Sequence, residues 1–171
     1  MARTIIYLDV DGVINAIRNG TPSQKRTGFK DFRRTTVNGF QIQYAQELID
    51  WLNSISEIDG VEIKWLTTWQ EDAPKNLCPA IGLFGWDWEV LGGDLTDWGG
   101  PHWWKYKAIR EDHSKHKPDL AIWIDDDLKL EVRAHSWALE TMNVMAVIPD
   151  ALDGLTRDAL DGITAAIEAS K

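Results

Sequence analysis

One cysteine, Cys78, stands in 171 residues, so an internal disulfide is excluded and a reducing compartment fits. The histidines His102, His113, His116 and His135 keep no ligand spacing with it, which argues against a zinc site. No apolar run is long enough to span a bilayer, and no signal-peptide pattern opens the chain. These absences together predict a cytoplasmic protein with no membrane partner, and no protein partner is evident. There is no G-x-x-x-x-G-K-[ST] stretch, so P-loop kinase activity is not encoded. Positive charge is scarce: 18 Lys and Arg face 27 Asp and Glu, for a net charge of −9. That balance argues against indiscriminate nucleic-acid binding. The deficit is not uniform. Between Asn15 and Thr36, Arg18, Lys25, Arg26, Lys30, Arg33 and Arg34 face the single acid Asp31. Tryptophan is the abundant residue, with ten copies, and the bulk of indole assigns most of them to core or pocket walls.

The apolar pattern alternates short buried runs with helical periods. Residues 3–9, 61–69, 88–91, 120–124 and 144–148 read as five strands. Asn38 reads as the N-cap of a helix over about 40–56, on the spacing of Ala45, Leu48, Ile49, Leu52 and Ile55. Further helices are predicted over about 101–113 and 128–140. Thr156 caps a last one with Ala159, Leu160, Ile163 and Ile167 on its apolar face. Strands that alternate with helices and lack hairpin codes between them predict an α/β fold, with a five-stranded parallel sheet covered on both faces. No repeat, low-complexity tract or linker interrupts it. The reading is one domain over 1–171, with the basic residues 15–37 as an appended loop or small hairpin.

Three predicted strands end in polar chemistry: Asp9 and Asp11 after the first, Thr67 and Thr68 on the second, Asp125, Asp126 and Asp127 after the fourth. Ligand sites of parallel sheets lie beyond the carboxyl ends of the strands. If these strands are neighbours, the acids converge at one rim. Carboxylates crowd a small volume only when a cation neutralises them, and a hard divalent ion such as Mg²⁺ suits oxygen ligands. Taken singly, each piece also has an ordinary structural reading as loop start, turn or strand. The specific signal is their order along the chain.

That order resembles the haloacid dehalogenase (HAD) superfamily. "YLDVDGVIN" is similar to its first motif, "KWLTTW" to its second and "AIWIDDDL" to its fourth, while Lys105 or Lys107 in "WWKYKAI" supplies the third. Together with "WLTTWQEDA" and "VIPDALDGLT", these phrases resemble the HAD domains of Swiss Army Knife RNA repair proteins and their stand-alone relatives. The resemblance implies a three-layer α/β/α Rossmann-like fold with a small flap, residues 15–37, in place of a full cap.

It also implies roles. Asp9 is the nucleophile that forms an aspartyl-phosphate, and Asp11 is the general acid and base. Gly12 allows the tight turn. Thr67 and the amide of Thr68 hold phosphoryl oxygens, and Lys105, with Lys107 as rival, balances the charge. Mg²⁺ takes Asp9, the Asp11 carbonyl, Asp125 and, as an outer ligand, Asp126; alternatively Asp126 orients Lys105. Asp127 belongs to the following helix N-terminus. Arg33 and Arg34, and less directly Lys25 and Arg26, grip flanking phosphates. The expectation is a Mg²⁺-dependent phosphohydrolase acting on a single-stranded nucleic-acid end or a nucleotide. The alternatives are the same chemistry on a metabolite or phosphoprotein, and a catalytically quiet binding module.

Overall fold

The computed structural model describes residues 2–171. Strand β1 (Thr4–Leu8) enters the Asp9 loop. A short helix α1 (Gln24–Thr27) and the antiparallel pair β2 (Phe32–Val37) and β3 (Phe40–Ala45) follow. Then come α2 (Gln46–Ser56), β4 (Val61–Trp65), α3 (Cys78–Ile81) and α4 (Trp104–His116). The chain ends with β5 (Leu120–Ile124), α5 (Val132–Glu140), β6 (Val144–Val147) and α6 (Arg157–Ala169).

The main sheet is parallel, in the order β4-β1-β5-β6. Alternation along β1 explains its burial on both faces. Ile6 and Leu8 pack with Leu48, Ile49 and Leu52 of α2 and Ile163 and Ile167 of α6. Ile5 and Tyr7 pack with Ile109 of α4 and Ala134 and Ala138 of α5. Each fully buried aliphatic side chain of this kind contributes about 1.5–3 kcal/mol. Thr156 caps α6 as its side-chain oxygen accepts from the Ala159 amide at 3.3 Å. Among the described residues, no helix is long and apolar enough to cross a membrane.

The sheet has four parallel strands rather than five. The backbone of residues 88–91 pairs with β4 at Trp65 alone, which donates to the Glu89 carbonyl at 2.8 Å and accepts from the Leu91 amide at 2.9 Å. Trp88 packs on the Trp65 ring at 5.2 Å, and Gly92 and Gly93 follow, so the segment leaves the edge after one bridge.

The helix expected from about residue 40 starts at Gln46. Residues 40–45 form β3 instead, and Asn38 caps nothing. Asn38 and Gly39 have φ of 52° and 84°, the two left-handed positions of a tight hairpin turn. Period-two alternation sets Ile42 and Tyr44 inward and leaves Gln41 and Gln43 on the other face. An Asn-Gly hairpin code was therefore present, and the basic flap runs through residue 45.

The flap is tied to residues 150–157. Ile17 N–H donates to the Ala151 carbonyl at 3.0 Å, and Leu155 N–H to the Val13 carbonyl at 2.9 Å. Arg18 and Arg26 both pair with Asp153, at 3.2 and 2.9 Å. Arg157 lies over the Phe29 ring, pairs with Glu47, and donates to the Gly28 carbonyl at 3.4 Å.

Candidate active site

The strand order places β4, β1 and β5 side by side, so their carboxyl-terminal loops share one rim. Ladder bonds persist just past the strands: Leu66 N–H donates to the Leu8 carbonyl at 2.9 Å, and Asp9 N–H to that of Ile124 at 3.2 Å. Asp9 is thereby fixed between Thr67 and Asp125.

Lys105, at the start of α4, reaches into this rim. Its ammonium donates to Asp9 Oδ2 at 2.6 Å and to Asp125 Oδ2 at 2.8 Å, and it lies 5.7 Å from the Trp103 ring centroid. All three charged groups are buried. The other carboxylate oxygens are also engaged: Asp9 Oδ1 accepts from Val10 N–H at 2.7 Å, and Asp125 Oδ1 from Asp127 N–H at 3.0 Å. Lys107 is exposed, so the two lysines left open by the sequence are separated by burial.

Electrostatics follow from two buried acids around one base, with a third acid adjacent. Burial pushes the Asp125 carboxyl up; Lys105 opposes this and the Asp9 charge adds to it. Burial, then Asp127 and Asp9, push Asp126 up to about 6. For Lys105 burial alone favours the neutral amine, but Asp9 and Asp125 outweigh it and raise its pKa.

Asp9, Asp125 and Asp126 each bring one carboxylate oxygen within 4.8 Å of the others. The set is all oxygen, buried, and carries more negative charge than Lys105 balances, so it fits a hard divalent cation. The Asp11 side chain points elsewhere. Its Oδ1 accepts from Asn15 Nδ2 at 2.7 Å and its Oδ2 from Trp69 Nε1 at 2.9 Å. The sequence offered Trp69 as one of several tryptophans that pack or stack a base, and it gave neither Trp69 nor Asn15 as a partner of Asp11. Asp126 does not touch Lys105, which is oriented by Asp9 and Asp125 instead.

Thr67 is buried, and its hydroxyl oxygen accepts from Trp69 N–H at 3.3 Å; Thr68 is exposed on the rim. Arg33 and Arg34 are not brought together. They are adjacent in β2, so they leave opposite faces of the hairpin, Arg33 opposite Tyr44 and Arg34 opposite Gln43. Lys25 is exposed, and Arg26 is spent on Asp153.

Gly12 has φ of +72°, and a Cβ there would overlap the Asp126 carboxyl group. Gly12→Ala is therefore expected to push Asp126 out of the acidic group and to strain the turn. A ten-fold or greater rise in the Mg²⁺ concentration needed for half-maximal thermal stabilisation is the expected readout, at an order of magnitude set by one displaced metal contact. Unchanged Mg²⁺ dependence would separate Asp126 from metal binding.

Comparison with a solved structure supports the fold, and a match to a family model gives the class. The HAD domain of effector protein Lem4 from Legionella pneumophila, solved as an inactive mutant, superposes with a TM-score of 0.64 at 14% identity, covering 99% of this chain and 97% of that one. Residues 5–160 match the family described as the HAD domain in Swiss Army Knife RNA repair proteins, and the chain belongs to that family. The family supports a HAD-type phosphohydrolase in general terms. Comparison with curated proteins returns no match.

Proposed function

We propose that the protein is a Mg²⁺-dependent phosphomonoester hydrolase acting through an aspartyl-phosphate, on a nucleic-acid end or nucleotide phosphate. The observation that carries this reading is the buried Asp9–Lys105–Asp125 chain at the rim, with bonds of 2.6 and 2.8 Å. Asp9 attacks phosphorus, forming its O–P bond as the bond to the leaving oxygen breaks. Asp11, in its acid form, gives that oxygen a proton. It then takes a proton from the water that attacks the aspartyl-phosphate, releasing inorganic phosphate and restoring Asp9. The arrangement in which both Asp11 oxygens accept bonds, from Asn15 and Trp69, suits the proton-accepting half of the cycle. Each carboxyl oxygen has a second lone-pair site, so Asp11 can carry the proton it donates while keeping both bonds.

Thr67, the Thr68 amide and Lys105 hold the phosphoryl oxygens and offset their charge. Asp9, Asp125, Asp126 and the Asp11 carbonyl would hold Mg²⁺, which supplies Lewis-acid neutralisation of phosphate charge when bound. The flap's cations favour a phosphate-rich substrate over a small neutral metabolite, and Arg34 lines a cavity whose wall includes Asn15. A phosphatase panel tests the proposal: 3′- and 5′-phosphorylated oligonucleotides, nucleotides, sugar phosphates and an aryl phosphate, each with Mg²⁺ and with EDTA. Turnover that EDTA abolishes and Mg²⁺ restores is expected. No turnover of any phosphoester would overturn the reading in favour of a binding module.

A further inference from the structure

Two cavities flank the flap hairpin, and they share a wall. One, of about 390 Å³, opens beside Asp11 and is lined by Asn38, Phe40, Gln41, Thr68, Trp69 and Asp72 together with Asn15. The other, of about 410 Å³, lies beyond it, and its lining includes Arg18 and Arg34. Asn15 and Gln41 line both, so the cavities are neighbours, and Asp11 lines only the first.

The first cavity is aromatic and carries acids but no cation. Phe40 is 66% exposed, an uncovered ring at the hairpin tip. It meets Trp69 edge to face, with centroids 6.0 Å apart. The bond from Trp69 Nε1 to Asp11 fixes the indole, so the aromatic wall is registered to the group that serves the leaving oxygen. The side chains of Asn38 and Gln41 stand exposed on the rim and can both donate and accept hydrogen bonds. Asp11 and Asp72 disfavour a phosphate here. An uncharged planar group with polar edges fits; a plain phenol ring would leave the amides unused.

The second cavity has the opposite character. Arg34 donates to Gln43 Oε1 at 2.7 Å through Nε and approaches Thr21 Oγ1 at 3.4 Å through one terminal nitrogen. Among the described residues it has no acidic partner, whereas Arg18 is partly neutralised by Asp153. Arg34 is thus held in place with charge to spare.

We infer that the two cavities form one seat for a single-stranded nucleic-acid end, with the terminal base against Phe40 and Trp69 and the adjoining backbone phosphate at Arg34. This rests on the phosphohydrolase reading, since it takes Asp11 as the group facing the leaving nucleoside. It goes further in assigning the leaving group and in favouring an oligonucleotide over a mononucleotide.

A binding experiment separates the two claims. The probe is a labelled tetranucleotide with hydroxyl groups at both ends, a product that cannot be hydrolysed, titrated in EDTA and followed by anisotropy. Phe40→Ala is expected to weaken binding roughly 5- to 100-fold through loss of base stacking. Arg34→Gln is expected to weaken it and to flatten the log–log salt dependence by about 0.7, one phosphate contact on a single strand, and Arg34→Lys to restore the slope. Both side chains are exposed, so melting temperatures are expected to hold. Binding indifferent to both substitutions overturns the inference. So does a tyrosine peptide that competes at equal concentration and depends on Phe40, which would assign the aromatic wall to phosphoproteins. If the tetranucleotide binds through these residues but no phosphoester is turned over, the seat stands and the hydrolase reading falls. If simple phosphoesters are hydrolysed and the tetranucleotide does not bind, the reverse holds.

Discussion

Asp9→Asn is expected to reduce kcat by about 10³-fold or more while leaving the fold intact, an order typical of losing a covalent nucleophile. The amide offers no anionic oxygen to phosphorus, and its single carbonyl oxygen can accept from Val10 N–H or from Lys105 but not from both. Nor does the change strand Lys105, which keeps its 2.8 Å bond to Asp125. The substitution removes one charge from a crowded set. After burial itself, the Asp9 charge is among the influences that push Asp125 up, so its removal eases a repulsion. The eased repulsion and the lost bond act in opposite directions, so the melting temperature should change little. Calorimetry and turnover, measured on the same preparation, check both halves. An inactive but unfolded variant would mark Asp9 as a structural member only, and an active one would remove it as nucleophile.

Lys64→Ala is expected to produce the largest loss of stability, about 3–5 kcal/mol, because it strands a buried acid. Lys64 is 0% exposed on β4. Its ammonium bonds Glu89 at 2.6 Å and Asp112 at 2.9 Å and lies 3.4 Å from Glu62. Asp112 is buried and also accepts the Tyr7 hydroxyl at 2.9 Å. Burial and then the Asp112 charge push the Tyr7 phenol well above its ordinary value, so Tyr7 serves as a neutral donor. Without Lys64, that donor and His116 at 3.3 Å are the remaining neighbours of the Asp112 charge. At roughly 2–4 °C per kcal/mol for a domain of this size, the melting temperature should fall by about 6–20 °C. Adding Asp112→Asn to Lys64→Met removes the stranded charge while keeping an acceptor for Tyr7, and should recover at least half the loss. A double variant no more stable than Lys64→Met alone would show that packing of the lysine stem, not charge, sets the effect.

The strands that enter the acids were legible because each is a short apolar run bounded by polar residues. β5 matches residue for residue. Two features misled by local pattern. Phe40, Ile42 and Tyr44 recur at a period of two, but Ala45, Leu48 and Ile49 directly continue at helical spacing. Asn38 serves helix caps and hairpin turns equally well, and only Gly39 distinguished them. The 88–91 run has strand composition, yet what it does is decided by Trp88 on Trp65 and Glu89 on Lys64, contacts between segments far apart in the chain. The sequence favoured Lys105 over Lys107 on its spacing to Ile109, and the position of α4 buries Lys105 and Ile109 and exposes Lys107. The partners of Asp11 come from a loop residue and an indole 58 positions away, a pairing no local spacing encodes.

The ties from residues 150–157 to the flap bear on how a substrate meets this rim. Ile17, Arg18, Arg26 and Phe29 tie the base of the flap to the lead-in of α6, as a shelf is tied to its bracket. Trimming the chain near its far end would loosen that shelf, so residues remote from the chemistry would alter selectivity before they altered catalysis.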